Sequence, residues 1–390
     1  MRLPENVEYI LSRLVANGYR ADIVGGCVRD RILGKEPNDY DITTNAMPEA
    51  VREIFSNLRT VDTGIKHGTV AVILDSEPYE ITTYRRDGSY SDNRHPDSVS
   101  FTDELRDDLS RRDFTVNAMC YNREDGITDL FGGREDLEGK IIRAVGNPRV
   151  RFEEDALRVM RALRFASVLD FSIEDNTARA IDECAQLVCG ISAERIYSEW
   201  KKLIGGVAAY RILKDYSRVV GKIIPKLCGY SLPDEQLFSG ESGDIRELSL
   251  FAFDGGKEAF AEAMTALRCD TKHKKYGIAV LSGIEYGTDT DAKKRLLLVK
   301  LGREAALGAI RLKILLGRSA KEEYRQLLSL IESGAPSTVA ELKINGNDLK
   351  SLGWRGRKIG DALEWLLVSI AEGRVENERD ALLSFVANFS

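Results

Sequence analysis

Between Ala21 and Tyr84 the apolar and polar positions change period repeatedly. "ADIV" is a short apolar run that stops at Gly25-Gly26, "YDIT" is short and β-branched, and "HGTVAVIL" and "YEITTY" alternate as half-buried strands do, with amphipathic segments between them. This predicts a small α/β domain. After about Asn147 the alternation gives way to a 3.6-residue period. "EEDALRVMRALRFA", "NTARAIDECAQL" and "SAERIYSEWKKLI" each read as a helix, and so does nearly everything to the end. In the first of these, Ala156, Val159, Met160, Leu163 and Ala166 share one side, while Asp155, Arg158, Arg161 and Arg164 spread over the other. Glycine-containing breaks near Gly205, Gly229–Gly243 and Gly334 mark candidate boundaries, and no internal repeat or low-complexity segment interrupts the chain.

Length adds domain count: 390 residues exceed what one hydrophobic core usually holds. With 43% hydrophobic and 30% charged residues the composition is that of a soluble globular protein. Cys27, Cys120, Cys184, Cys189, Cys228 and Cys269 are scattered, without a CxxC pair or a Cys/His cluster, so neither a disulfide framework nor a zinc site is indicated and a reducing cytoplasm is expected. "MRLPENVEYILSRLV" reads as the start of an amphipathic helix, and no run of about 18 apolar residues occurs, which argues against export and membrane spanning.

The net charge of −6 does not announce a nucleic-acid partner, yet it conceals an asymmetry. From Arg195 to Lys226, eight Lys/Arg (Arg195, Lys201, Lys202, Arg211, Lys214, Arg218, Lys222, Lys226) stand against Glu199 and Asp215, a local charge of +6. Such a run is either a solvated helical face or a track for phosphates.

Candidate chemistry concentrates in "VGGCVRDRILGKEPNDYDI", Val24 to Ile42. Asp39 and Asp41, two apart, point to the same side of an extended segment, where two carboxylates repel unless a cation lies between them. Mg²⁺, which takes one or two protein carboxylates and completes its octahedron with water and nucleotide phosphates, suits that pair, although a lone DxD is also what a solvent-facing strand carries. Gly25-Gly26 follow a strand and precede a helix, so their bare backbone can approach a ligand and offer N–H groups to a triphosphate. Arg29, one turn into that helix, can add a charge-assisted contact to the same phosphates.

Taken in order and spacing, "GGCVRD…DYDI", "RRDFTVNAM", "DLFGGREDLEGKIIRAVG", "EEDALRVMRALRFA" and "ERIYSEW" resemble the successive motifs of the bacterial class II tRNA nucleotidyltransferases, the CCA-adding enzymes of the polymerase-β-like superfamily. The resemblance is dense from Gly18 to about Lys202 and looser beyond, with "LKINGNDLKSLGWRGRKIGDALEWLL" similar to the tail of bacterial members. It implies an α/β nucleotidyltransferase head with a mixed or antiparallel sheet and helices (1–145), followed by an all-α neck (146–206), body (207–300) and tail (301–390). The activity implied is template-independent addition of CCA to tRNA 3′ ends from CTP and ATP, with release of pyrophosphate, by a cytoplasmic monomer or homodimer using Mg²⁺.

Residue by residue, the resemblance places Asp39 and Asp41 on the metal-binding aspartates, and Gly25, Gly26, Arg29, Arg112 and Asp113 on nucleotide-binding positions. Glu80 matches the superfamily's third acidic position, which in many relatives helps activate the attacking hydroxyl; a strand glutamate paired with a nearby arginine reads equally well. Asp155 and Arg158 fall against the incoming base. An ionised carboxylate only accepts and a guanidinium only donates, so this pair complements the amino donor and ring-nitrogen acceptor of cytosine and adenine, and mispairs uracil and guanine at about 1 to 3 kcal/mol per group. Arg161 and Arg164, cationic beyond what the adjacent acids neutralise, complete the nucleotide-binding candidates. Lys201, Lys202, Arg211, Lys214 and Arg218 then become candidates for RNA phosphates, and Lys343, Lys350, Arg355, Arg357 and Lys358 for contacts farther along a tRNA.

Other functions stay open. "GIKHGTV" (Gly64 to Val70) is similar to the CCA-type signature, the basic motif of bacterial poly(A) polymerases is absent, and "RRDGSYSDNRHPDSV" (Arg85 to Val99) resembles a flexible loop that enzymes adding only CC lack. An enzyme completing a CC end with A alone would retain that loop. With three histidines (His67, His95, His273) and no His-Asp dipeptide, the phosphohydrolase domain of some relatives is not expected. A small-molecule nucleotidyltransferase would share the DxD core but not the long basic helical region, and a non-catalytic tRNA-binding protein would not need the acidic set.

Overall fold

The computed structural model describes residues 1–64, 67–88, 98–253 and 255–387. Its chain forms two compact units, Met1–Ile212 and Leu213–Ser390. The parts of "GIKHGTV" at 65–66 and of the Arg85–Val99 segment at 89–97, including His95, lie outside the described residues.

The first unit is built on a mixed sheet of seven strands: β1 (Ala21–Val24), β2 (Ile42–Thr44), β3 (Arg59–Gly64), β4 (Thr69–Leu74), β5 (Glu77–Thr83), β8 (Met119–Asn122) and β9 (Gly126–Asp129), ordered β3-β4-β5-β2-β1-β8-β9. Every neighbouring pair is antiparallel except β2 and β5. β6 (Arg85–Asp87) and β7 (Val99–Phe101) form a separate antiparallel ribbon. All four residues of β1 are buried, as expected of a central strand covered on both faces. The helices of this unit are α1 (Glu5–Ala16), α2 (Gly26–Ile32), α3 (Pro48–Ile54), α4 (Leu105–Ser110), α5 (Gly133–Glu138), α6 (Pro148–Glu154), α7 (Leu157–Leu169), α8 (Asp175–Cys184) and α9 (Ala193–Ile204).

Three local differences from the sequence pattern matter. "YDIT" is a strand only from Ile42, because the residues before it pair with β1 by a single backbone bond, Val24 N to Asp41 O at 3.0 Å. After Asn147 one further short strand occurs, β11 (Ser172–Ile173), paired in parallel with β10 (Ile141–Ile142). "EEDALRVMRALRFA" is not one helix. Asp155 adopts an extended backbone (φ −134°, ψ 99°), and its carboxylate accepts the Leu157 amide at 3.1 Å, a local bond that displaces the helical one and separates α6 from α7.

α7 is also more enclosed than its sequence pattern predicts. Leu157, Arg158, Val159, Met160, Ala162, Leu163, Phe165, Ala166 and Ser167 are all buried, with α9 packed alongside through a face that buries Ile196, Trp200, Leu203 and Ile204. The second unit is helical throughout its described length. Its longest helix, Asp291–Leu315, is kinked at Gly302 (φ 75°, ψ 169°), and one of its cores gathers Leu349, Ala362, Leu366, Leu382 and Val386.

Candidate active site

The turn into α2 has a backbone that favours glycine. Gly25 sits at φ 82°, and a Cβ added there would come within 2.9 Å of Arg112 Nη1. Its amide donates to the Met119 carbonyl at 3.0 Å, fixing the turn to the start of β8, and no side chain caps the helix. Arg29, buried one turn on, donates Nη1 to Asn117 Oδ1 at 2.6 Å and Nε to Asp30 Oδ1 at 2.8 Å. Gly25, Gly26, Arg29 and Arg112 therefore gather at one turn.

Asp41 stands on the neighbouring strand segment. The β2–β5 ladder pairs Ile42 with Ile81, so one residue earlier Asp41 falls beside Glu80. Asp39, Asp41 and Glu80 are all exposed, and no described side chain forms an ion pair or hydrogen bond with any of them. The ion-pair alternative for Glu80 is thus not realised among the described residues. Although Asp41 retains exposed surface, packing around its carboxyl pushes its pKa up; Arg112 opposes that shift, and the charges of Asp39 and Glu80 add to it. An all-oxygen, like-charged set that no described side chain pairs directly is the donor chemistry that suits a hard divalent cation such as Mg²⁺. Among the described residues no group of three or more His, Cys, Asp or Glu is spaced to hold an ion, so such a cation would draw its other ligands from water and substrate.

Arg112 faces this acidic set from one side and is held from behind: Nη2 donates to Asp108 Oδ2 at 3.4 Å, while Nε is buried without a partner among the described residues. Asp113, by contrast, is committed to the protein. Its Oδ1 accepts from the Phe114 amide at 2.8 Å and Asn117 Nδ2 at 3.1 Å, and its Oδ2 from Arg161 at 2.8 and 2.6 Å. Burial acts to raise its pKa, but Arg161 and Asn117 outweigh it and hold the carboxyl down to about 2. Both Asp113 oxygens are thus engaged by protein groups, one of which, Asn117, also holds Arg29.

Arg161 and Arg164 are likewise paired within the protein. The acids that neutralise them come from elsewhere in the chain: Arg161 takes Asp113 and approaches Glu199 at 3.9 Å, and Arg164 donates to Glu199 at 2.8 Å with its guanidinium carbon 3.5 Å from the centre of the Phe165 ring. A stacked, paired arginine is a packing element of the α7–α9 contact.

Asp155 and Arg158 are close in sequence but do not pair with each other's side chains. Asp155 Oδ2 accepts from Arg195 at 3.2 Å. Arg158 is buried and spends Nη1 on Glu154 (2.9 Å) and the Arg151 carbonyl (3.1 Å), and Nη2 on the Arg111 carbonyl (2.9 Å).

The basic run is partly neutralised in the same way, Arg195 by Asp155, Arg211 by Asp170 at 3.0 Å, and Lys226 by Glu262. Lys201 and Lys202 stay exposed at the end of α9; in the second unit Lys214 and Arg218 are exposed, as are Lys343, Lys350, Arg355, Arg357 and Lys358. Residues missed by the sequence reading are Asp108, Asn117, Glu154, Phe165 and Glu199. Asn117 lay in "RRDFTVNAM" and Glu199 in "ERIYSEW", but spacing alone could not show whom they bind. A separate cavity of about 490 Å³ between α1 and the β8–β9 hairpin, lined by Leu3, Leu11, Val15, Arg20 and Asp125 among others, contains none of the predicted residues.

A mixed sheet that brings a glycine turn, an arginine and unpaired aspartates together, followed by a helical remainder, defines a nucleotidyltransferase. The Poly A polymerase head domain family matches residues 21–143, the family described as a probable RNA and SrmB-binding site of polymerase A matches 170–217, and the putative second domain of tRNA nucleotidyltransferases matches 246–386. The CCA-adding enzyme of Enterococcus faecalis is 35% identical over 96% of this chain and 94% of its own length, and that of Levilactobacillus brevis 36% identical over 99% of each. Among solved structures, the Bacillus stearothermophilus CCA-adding enzyme in complex with CTP superposes with a TM-score of 0.80 at 32% identity, covering all of this chain and 98% of that one. The Thermotoga maritima CCA-adding enzyme complexed with tRNA shares the fold at a TM-score of 0.71 and 21% identity, over 100% of this chain and 97% of that one. The chain belongs to the CCA-adding enzyme family.

Proposed function

We propose that this chain rebuilds the 3′ end of tRNA one nucleotide at a time, from CTP and then ATP, without a nucleic-acid template and in the cytoplasm, and that 1–145 acts as head, 146–206 as neck, 207–300 as body and 301–390 as tail. The observation that carries this reading is the unpaired carboxylate of Asp41, set among Asp39, Glu80 and Arg112, with Arg112 against the Gly25 turn. The RNA 3′-hydroxyl gives up its proton to solvent water as its oxygen forms a bond to the α-phosphorus, the bond from that phosphorus to the bridging oxygen of the β-phosphate breaks, and pyrophosphate leaves carrying the displaced charge. Asp39 and Asp41 are the residues that would hold Mg²⁺, which supplies charge neutralisation at the phosphates and lowers the pKa of a bound hydroxyl. Arg112 and Arg29 bind the triphosphate beside the bare backbone of Gly25 and Gly26. Glu80 stands beside Asp41 and tunes its charge.

Base choice is assigned to Asp155 and Arg158, whose acceptor and donor sets fit cytosine and adenine and mispair uracil and guanine. Lys201, Lys202, Arg211, Lys214 and Arg218 would take RNA phosphates. The relative of known structure binds CTP, which supports the nucleotide side of this reading. The test is to incubate the protein with tRNAs ending at the discriminator base, at C or at CC, with CTP and ATP singly and together. CMP addition to the shortest tRNA is expected; extension only of the CC end by A would replace this reading with A-addition, and no extension would remove it.

A further inference from the structure

The structure points to a residue outside the sequence-predicted set that governs the triphosphate contact. Asp108, at the end of α4, is fully buried, yet three side chains from two elements converge on its carboxylate. Oδ1 accepts from Arg111 Nε at 2.9 Å and Nη2 at 2.7 Å; Oδ2 accepts from Arg112 Nη2 at 3.4 Å and lies 3.1 Å from the Thr43 hydroxyl. Thr43 is on β2, two residues after Asp41, and its single proton is shared between Asp108 and the Thr82 carbonyl at 3.2 Å. Arg111 in turn presents its carbonyl to Arg158 Nη2 at 2.9 Å. One carboxylate therefore ties the strand that directly follows the aspartates to the arginine facing the Gly25 turn.

We infer that Asp108 is the positioning residue for Arg112, holding one edge of its guanidinium so that the other edge, Nη1, faces the glycine turn where the triphosphate is read. Arginine has long side-chain freedom, and fixing it before the ligand arrives removes that entropy from the binding step. Placement by a buried carboxylate is economical: burial acts to raise the Asp108 pKa, but Arg111 and Arg112 outweigh it, so the carboxyl stays ionised and acceptor-only. Because Arg112 would touch phosphates and not the base, the effect of Asp108 falls equally on every nucleotide.

This inference rests on the reading of Arg112 as a triphosphate contact, and the two fail differently. Asp108→Asn keeps size and removes charge. With saturating tRNA, it is expected to raise KM for CTP and for ATP alike, by about tenfold, as loss of one charge-assisted contact does, with KM for tRNA and rejection of UTP and GTP unchanged. Arg112→Ala is expected to raise the same two KM values, and the double variant to be no worse than Arg112→Ala alone. A raised KM in Arg112→Ala with an unchanged one in Asp108→Asn overturns the positioning role, as does additivity in the double variant. Unchanged nucleotide KM in Arg112→Ala overturns the reading of Arg112 itself. Should thermal melting show Asp108→Asn unfolded, Thr43→Val takes its place: about a threefold rise in both nucleotide KM values supports the role and no change overturns it.

Discussion

The Asp155 carboxylate accepts a hydrogen bond from Arg195 at 3.2 Å, forty residues away, and not from Arg158, three residues away, whose guanidinium goes to Glu154 at 2.9 Å. The two residues assigned to read the base are each held by a different partner.

Replacing either base-reading residue should relax selectivity without stopping synthesis. Asp155→Ala or Arg158→Ala is expected to narrow the preference for CTP over UTP by about 1 to 3 kcal/mol, roughly 5- to 150-fold. Single-nucleotide incorporation with each of the four triphosphates measures this directly, and unchanged ratios would remove the base-reading role.

The acidic pair should be indispensable. Asp39→Ala and Asp41→Ala are each expected to lower nucleotide addition by about three orders of magnitude, since roughly 4 kcal/mol of charge stabilisation disappears. Gel-shift affinity for tRNA should stay within a factor of about two. Full activity in either variant contradicts the assignment.

Gly25→Ala forces a side chain into a left-handed backbone (φ 82°) and towards Arg112. Loss of about 1 kcal/mol of stability is expected in chemical denaturation, together with a raised nucleotide KM. Normal stability with normal KM would show that neither the turn nor its clearance matters.

Asp113 links stability to acid. Its folded-state pKa is depressed to about 2, so its contribution is fully present above the unfolded value near 4 and is lost as pH falls towards 2. The wild type should lose about 2 kcal/mol through this group across that window. Asp113→Asn should lose about 3 kcal/mol at neutral pH, because Arg161 is left half-buried without its partner, and should show a flatter acid limb in urea midpoints measured from pH 6 to 2.

The exposed lysines at the end of α9 should act through phosphates. Lys201→Ala and Lys202→Ala are each expected to weaken tRNA binding and reduce the slope of log affinity against log salt by about 1, without altering nucleotide choice. A slope identical to wild type places these residues outside the RNA contact.

Much of this protein is legible in its sequence because the relevant physics is local. An apolar run announced β1, alternation announced β4 and β5, the glycine pair announced the turn into α2, and two aspartates at even spacing announced a pair of like-facing carboxylates. β3, β8 and β9 are short or weakly patterned, and their strand identity comes from neighbours in the sheet. The division of "EEDALRVMRALRFA" at Asp155 escaped the 3.6-residue period because a side-chain bond to one amide leaves no trace in hydrophobicity. What the sequence determined by itself was which groups are present and which lie within a turn or strand of one another. Only the tertiary structure decided who neutralises whom: Asp113 with Arg161, Glu199 with Arg164, Arg195 with Asp155. Charge pairing depends on distances of a few ångströms between segments tens of residues apart, and those distances exist only once the chain has folded.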